Sequence, residues 1–321
     1  MREKCLLVSY ILSVVMLCIS ISPVFAKAPD TPKIIFGTVR DGNHEIYMMN
    51  PDGSEQMNIT NHRAADVGGA WSPTGEQILF ASNRDRSPES LDLYLMDADG
   101  KNVRPMFEKS EERRHSEWSP DGKQIAYRRF DAGVGYLYIA TSDGKNEERM
   151  AIGGSPAWSP NGTEIAFVVR VAPGRLNIYI LNVRTRKQKH FFPPDDISTA
   201  REPTWSPEGT RLAFMWHPKG PNDKGTIYTL NRDGTGLQKV VNQPGLGAAA
   251  PVWSPRGDAL LYRRRSGHIQ TFKIVLDGGQ PEQLTDAGIW NVPSDWFDPA
   301  YALPVSPQPQ LLTTLWGKLK K

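Results

Sequence analysis

An all-β chain that closes into a ring of small antiparallel sheets is what the sequence predicts, and three observations carry that expectation. A Trp-Ser-Pro-x-Gly string recurs at Trp71–Gly75, Trp118–Gly122, Trp158–Gly162, Trp205–Gly209 and Trp253–Gly257, with a decayed sixth copy at Trp296-Phe297-Asp298-Pro299. The mean spacing between Trp71 and Trp296 is 45 residues, the length of a four-stranded unit rather than of a helical hairpin repeat. The ends of the array are out of phase: Lys33-Ile34-Ile35-Phe36 is a strand that should follow a Trp-Ser-Pro copy, and the copy at Trp296 has no strands after it. Each end lacks what the other has, so the segment near Trp296 should pair with the first strand and remove the open edges of the array.

The elements follow in order. After each Pro-x-Gly turn comes an apolar strand, as in Ile78-Leu79-Phe80, Ile125-Ala126-Tyr127, Ile165-Ala166-Phe167, Leu212-Ala213-Phe214 and Leu260-Leu261-Tyr262. A second strand succeeds it at Leu93-Tyr94-Leu95, Leu137-Tyr138-Ile139, Ile178-Tyr179-Ile180 and Ile227-Tyr228-Thr229, and Asp99-Gly100, Asp143-Gly144 and Asp233-Gly234 supply hairpin turns in which Gly takes a positive φ. Short outer strands such as Met57–Thr60 close the units. The result is a six-bladed β-propeller of four-stranded blades, at 33–60 with 292–297, 68–108, 115–152, 155–192, 202–241 and 250–285. The six tryptophans, Trp71, Trp118, Trp158, Trp205, Trp253 and Trp296, are structural: one flat side chain per blade fills the wedge between sheets, and its indole N–H is expected to reach a neighbouring carbonyl.

Outside the array lie two further segments. Residues 1–26 read as a signal peptide, with Arg2 and Lys4 ahead of an apolar run and cleavage after Ala26, which predicts an exported chain, periplasmic or extracellular, with no transmembrane segment once cleaved. Cys5 and Cys18 both fall there, so the mature chain has no disulfide, thiol nucleophile or Cys-based zinc site. Residues 300–321 form a Pro-rich tail. The propeller itself is assigned to 27–299.

The string Phe36-Gly37-Thr38-Val39-Arg40-Asp41-Gly42-Asn43-His44-Glu45-Ile46-Tyr47-Met48-Met49-Asn50-Pro51-Asp52-Gly53-Ser54, together with the Trp-Ser-Pro-x-Gly series, resembles the TolB-type six-bladed β-propeller repeat over residues 33–299. The resemblance implies that the Trp-Ser-Pro strand is innermost and that a protein or peptide is bound at a channel mouth. It covers the propeller only, since Lys27 to Pro32 leave no room for the α/β domain that precedes the propeller in TolB.

Charge is nearly balanced, with Lys+Arg 38 against Asp+Glu 35, so no basic stripe supports nucleic-acid binding. The entries to the inner strands are the candidate ligand-binding positions, because a ring brings them together: Asp66, Arg114, His115, Glu117, Arg201, Glu202 and Asp295. Arg40-Asp41 and Arg84-Asp85 recur at one blade position and read as structure, with Asp capping its own turn and Arg in a surface ion pair. Arg263-Arg264-Arg265 reads as a solvated run. No nucleophile elbow, His-Glu-x-x-His or phosphate loop is present, Asp97-Ala98-Asp99-Gly100 is a turn, and the histidines show no ligand spacing. The expectation is a monomeric, non-catalytic binding module or scaffold without cofactor or metal, capturing a protein, peptide or envelope component. The alternative is a hydrolase or lyase acting on a polysaccharide or peptide at the same mouth.

Overall fold

The computed structural model describes residues 27–85, 90–193, 197–219, 224–242 and 247–304. The predicted signal peptide, both cysteines and the tail beyond residue 304 lie outside the described residues. Six four-stranded antiparallel sheets form a six-bladed propeller. In blade 1, β24 (Asn291–Phe297) is innermost, followed by β1 (Lys33–Thr38), β2 (Glu45–Met49) and β3 (Met57–Asn58). The inner strands of blades 2 to 6 are β4 (Asp66–Trp71), β8 (Arg113–Trp118), β12 (Gly154–Trp158), β16 (Thr199–Trp205) and β20 (Ala248–Trp253). They pair in turn with β5 (Gln77–Ser82), β9 (Gln124–Asp131), β13 (Glu164–Ala172), β17 (Arg211–His217) and β21 (Ala259–Ser266). Among the described residues, no helix is long and apolar enough to cross a membrane.

The ring closes as the out-of-phase ends require. Strand β24 pairs antiparallel with β1 from Lys33↔Phe297 and Ile34↔Trp296 to Thr38↔Asn291. Gly75 makes room for that closure: its φ is +74°, and a Cβ there would lie 2.1 Å from Cζ of Phe297, a steric reason for glycine in the first Pro-x-Gly turn. The serine of each repeat is buried and holds its hairpin. Ser119 Oγ, for example, accepts the N–H of Gln124 at 2.9 Å, and Ser159 Oγ that of Glu164 at 2.9 Å.

Packing runs between blades rather than within them. Trp118 lies against Leu79 and Leu93 of the preceding blade, Trp158 against Ala126 and Leu137, Trp205 against Ala166 and Ile178, and Trp253 against Ala213 and Ile227. The expected indole hydrogen bond forms at Trp253, whose Nε1 donates to Thr204 O at 3.2 Å. It does not form at Trp71, Trp118, Trp158 or Trp205, whose buried Nε1 atoms have no acceptor. There the ring's fit into an apolar wedge fixes its position, and no carbonyl faces it.

Two expectations about arginines are corrected. Arg84 makes no surface pair: its Nη2 donates to the fully buried Asp66 at 2.8 Å, while Asp85 accepts the Tyr94 hydroxyl at 2.7 Å. The same tie recurs from Asp131 to Tyr138 at 2.6 Å and from Asp41 to Tyr47. Within the run at 263–265, Arg264 is buried with its guanidinium over Phe272 at 3.8 Å, a cation–π contact that takes it out of solvent.

Candidate functional site

The inner strands begin one to three residues earlier than the repeat pattern indicates, because each carries a β-bulge three residues ahead of its tryptophan. Pairing is interrupted between Arg114↔Arg128 and Glu117↔Ala126, and likewise in the other inner strands. The residue at the break has a left-handed backbone in five blades: Gly68 (φ 60°), His115 (53°), Ser155 (50°), Glu202 (57°) and Ala250 (53°). Such a conformation costs a non-glycine residue on the order of 1 kcal/mol. Proline follows it in three blades, at Pro156, Pro203 and Pro251, where the missing N–H suits the unpaired position of a bulge. In blade 1 the corresponding residue is Pro293, whose ring excludes positive φ, and the break moves to Ser294.

This bulge builds the site. The extra residue twists the strand and turns two consecutive side chains toward the channel, and those pairs line a cavity of about 750 Å3: His115 and Ser116, Ser155 and Pro156, Glu202 and Pro203, Ala250 and Pro251, Pro293 and Ser294. Blade 2 contributes none among the described residues. Arg128 and Arg170, from β9 and β13, complete the wall with Arg201 and an apolar side that includes Val134, Ile152 and Leu176.

Of the candidate residues, His115, Arg201 and Glu202 therefore meet in one cavity. Arg201 Nη2 lies 3.3 Å from His217 Nε2. Glu202 Oε2 accepts the N–H of Ala250 at 2.7 Å, and Oε1 stands 3.9 Å from Arg263. His115 opens onto the channel, its accessible face turned into the cavity, where desolvation by the surrounding ring, with the charges of Arg128 and Arg114, pushes its pKa down to about 4. It is neutral at pH 7. Arg114 stands beside this group, paired with Glu112 and stacked on Phe130 at 5.0 Å.

The other three candidates are placed elsewhere. Asp66 is fully buried beneath Arg84. Glu117 and Asp295 lie deeper in the channel, where each clasps the next blade: Glu117 Oε2 accepts the N–H of Trp158 at 2.8 Å and Asp295 Oδ2 that of Trp71 at 2.8 Å. Burial, then the charge of Asp295, pushes Glu117 up to about 8, and burial raises Asp295 to about 6, against the pull of the backbone N–H groups. Asp295 borders a smaller cavity of about 240 Å3 ringed by Pro73, Pro120 and Pro255 at the opposite end. Among the described residues, no three His, Asp or Glu side chains are grouped to hold a metal ion.

Sequence reasoning missed Arg128 and Arg170, which sit in second strands rather than at the inner-strand entries. A signal for the bulge was present, in the fixed distance from each tryptophan and the prolines that follow it, but the arginines carry no such mark.

A family model of the TolB beta propeller domain matches residues 85–299. A protein of uncharacterized function from Agrobacterium fabrum is 27% identical over 160 residues, covering 44% of this chain and 52% of that protein. The Tol-Pal system protein TolB of Thioalkalivibrio sulfidiphilus is 29% identical over 123 residues, 36% of this chain and 28% of that one. The chain thus matches about half, or less, of the length of these relatives. The crystal structure of TolB from Acinetobacter baumannii shares the fold, with a TM-score of 0.71 at 16% identity over 83% of this chain and 66% of that one.

Proposed function

This chain belongs to the TolB β-propeller family, and from that premise we propose that it is an exported, monomeric, non-catalytic binding module that captures a protein or peptide at its channel mouth. The observation that carries the reading is the bulged inner strand, repeated around the ring, which spends backbone strain at His115, Ser155, Glu202 and Ala250 to aim side chains into one cavity. A mouth of about 750 Å3 is the size of a pocket that encloses a few residues of a peptide rather than a flat interface. Export, to the periplasm or beyond, is supported by the residue pattern of 1–26 and by the Tol-Pal system names of relatives.

The test is a pull-down from envelope extract with the chain from residue 27 onward, beside the variant H115A/R201A/E202A. The wild type should retain partners that the triple variant loses, with circular dichroism and melting temperature matched between them. Equal recovery of every partner by both proteins removes the mouth from consideration.

A further inference from the structure

The charges in the cavity do not balance. Arg128, Arg170 and Arg201 all line it, and none has a carboxylate within ion-pair distance among the described residues. Glu202, the one carboxylate in the lining among the described residues, is already engaged by the Ala250 N–H and Arg263. His115 adds no charge at neutral pH. Several arginines elsewhere in the chain are matched by carboxylates: Arg113 with Asp92 and Glu147, Arg84 with Asp66, Arg129 with Asp131. Like charges gathered in one cleft repel one another and favour an anionic occupant.

Arg128 is also held in place. Its side chain lies along Gly135 and Gly154, where an added Cβ would stand 2.2 Å from Nε and 2.4 Å from Cδ respectively. Its guanidinium covers Phe130 at 4.3 Å, and Nε is buried without a partner. Burial, followed by the charges of Arg114 and Arg170, moves its pKa below the usual arginine range, with Glu112 opposing. A guanidinium fixed in this way is a preorganised fork for a carboxylate, which it can meet with two parallel hydrogen bonds.

Deepening the capture reading above, on which it rests, we propose that the cavity selects an acidic peptide segment, its carboxylates on Arg128, Arg170 and Arg201 and an aliphatic neighbour against Val134, Ile152 and Leu176. The apolar side of the wall favours a peptide, which offers carboxylate and hydrocarbon side by side. Among the described residues no aromatic side chain lines the cavity, so they offer a base no stacking platform.

Fluorescence anisotropy tests this with fluorescein-labelled Gly-Ser-Leu-Glu-Leu-Asp, free at its C terminus, and its neutral counterpart Gly-Ser-Leu-Gln-Leu-Asn amide. The acidic peptide should bind the wild type at least about tenfold more tightly, and the preference should shrink as NaCl rises. Arg170→Gln and Arg128→Gln should each bring the two affinities together, and Arg170 is exposed, so its variant folds normally. Equal affinities for the wild type, absence of binding by the acidic peptide at about 1 mM, or a preference that survives both substitutions would overturn the proposal. So would displacement of the label by inorganic phosphate or galacturonate at lower concentration than by unlabelled acidic peptide. If the pull-down depends on the mouth while the peptides are not distinguished, capture stands and acid selection falls. If the peptides are distinguished while no partner needs the mouth, acid selection stands and the wider reading falls.

Discussion

Replacing Trp158 by alanine tests the inter-blade wedge on which the ring depends. The indole is 5% exposed and packs among Ala126, Leu137, Ile139 and Phe167, between blades 3 and 4. Truncating a buried Trp to Ala costs about 3–5 kcal/mol, part of it for the cavity left behind. Two stiff sheets border this site and cannot collapse into the space. Against that, Nε1 of Trp158 has no acceptor, and removing a buried unpaired donor returns roughly 1 kcal/mol, which sets the expected loss near 3 kcal/mol. Trp253 provides the control, since its Nε1 donates to Thr204 O. Trp158→Phe and Trp253→Phe lose the same volume, so Trp253→Phe should be the worse by about 1 kcal/mol. Urea unfolding followed by tryptophan fluorescence and far-ultraviolet dichroism reads these differences, and a loss of 3 kcal/mol should lower the melting temperature by roughly 5–10 °C. Equal costs for the two Phe variants, or a loss below about 1 kcal/mol for Trp158→Ala, would refute the wedge as argued.

Three further outcomes are expected. Arg84→Ala leaves the Asp66 carboxylate buried and uncompensated, which should cost about 3–5 kcal/mol, and adding Asp66→Asn should recover part of it in the same unfolding assay; no recovery would mean that the pair does not account for the loss. Glu117 holds its proton in the folded chain up to about pH 8 but only to about 4.5 when unfolded, so its contribution to stability falls as pH rises between those values. Glu117→Gln keeps an acceptor for the Trp158 N–H, and its stability relative to wild type should climb steadily from pH 5 to 8; a flat difference would show that channel water solvates the carboxylate. His115 acts in the opposite sense, from about pH 4 to 6.5, and cancels in that comparison. Deleting residues 291–297 uncovers Ile34, Ile35 and Phe36, all fully buried; at about 1.5–3 kcal/mol each the loss rivals the net stability of a domain, and size-exclusion chromatography with thermal melts should find no compact monomer. An unchanged elution volume and melting temperature would mean that closure does not depend on β24.

The ring was legible along the chain: the blade count, the identity of the inner strands and the pairing of the two ends. Those features rest on local chemistry repeated at a fixed period, such as the buried serine, the turn glycine and the apolar triplet, and each copy announces its own strand. Which side chains reach the channel was settled only by the tertiary structure. One unpaired residue per inner strand shifts the alternation of faces, so His115 and Glu202 enter the cavity while Asp66, two residues before the same bulge position, is buried beneath Arg84. Arg128 and Arg170 belong to the second strands of two adjacent blades, and nothing along the chain relates them. They share a wall because the ring packs β12 between β9 and β13, and the glycines at 135 and 154 leave room for the Arg128 side chain to lie across them.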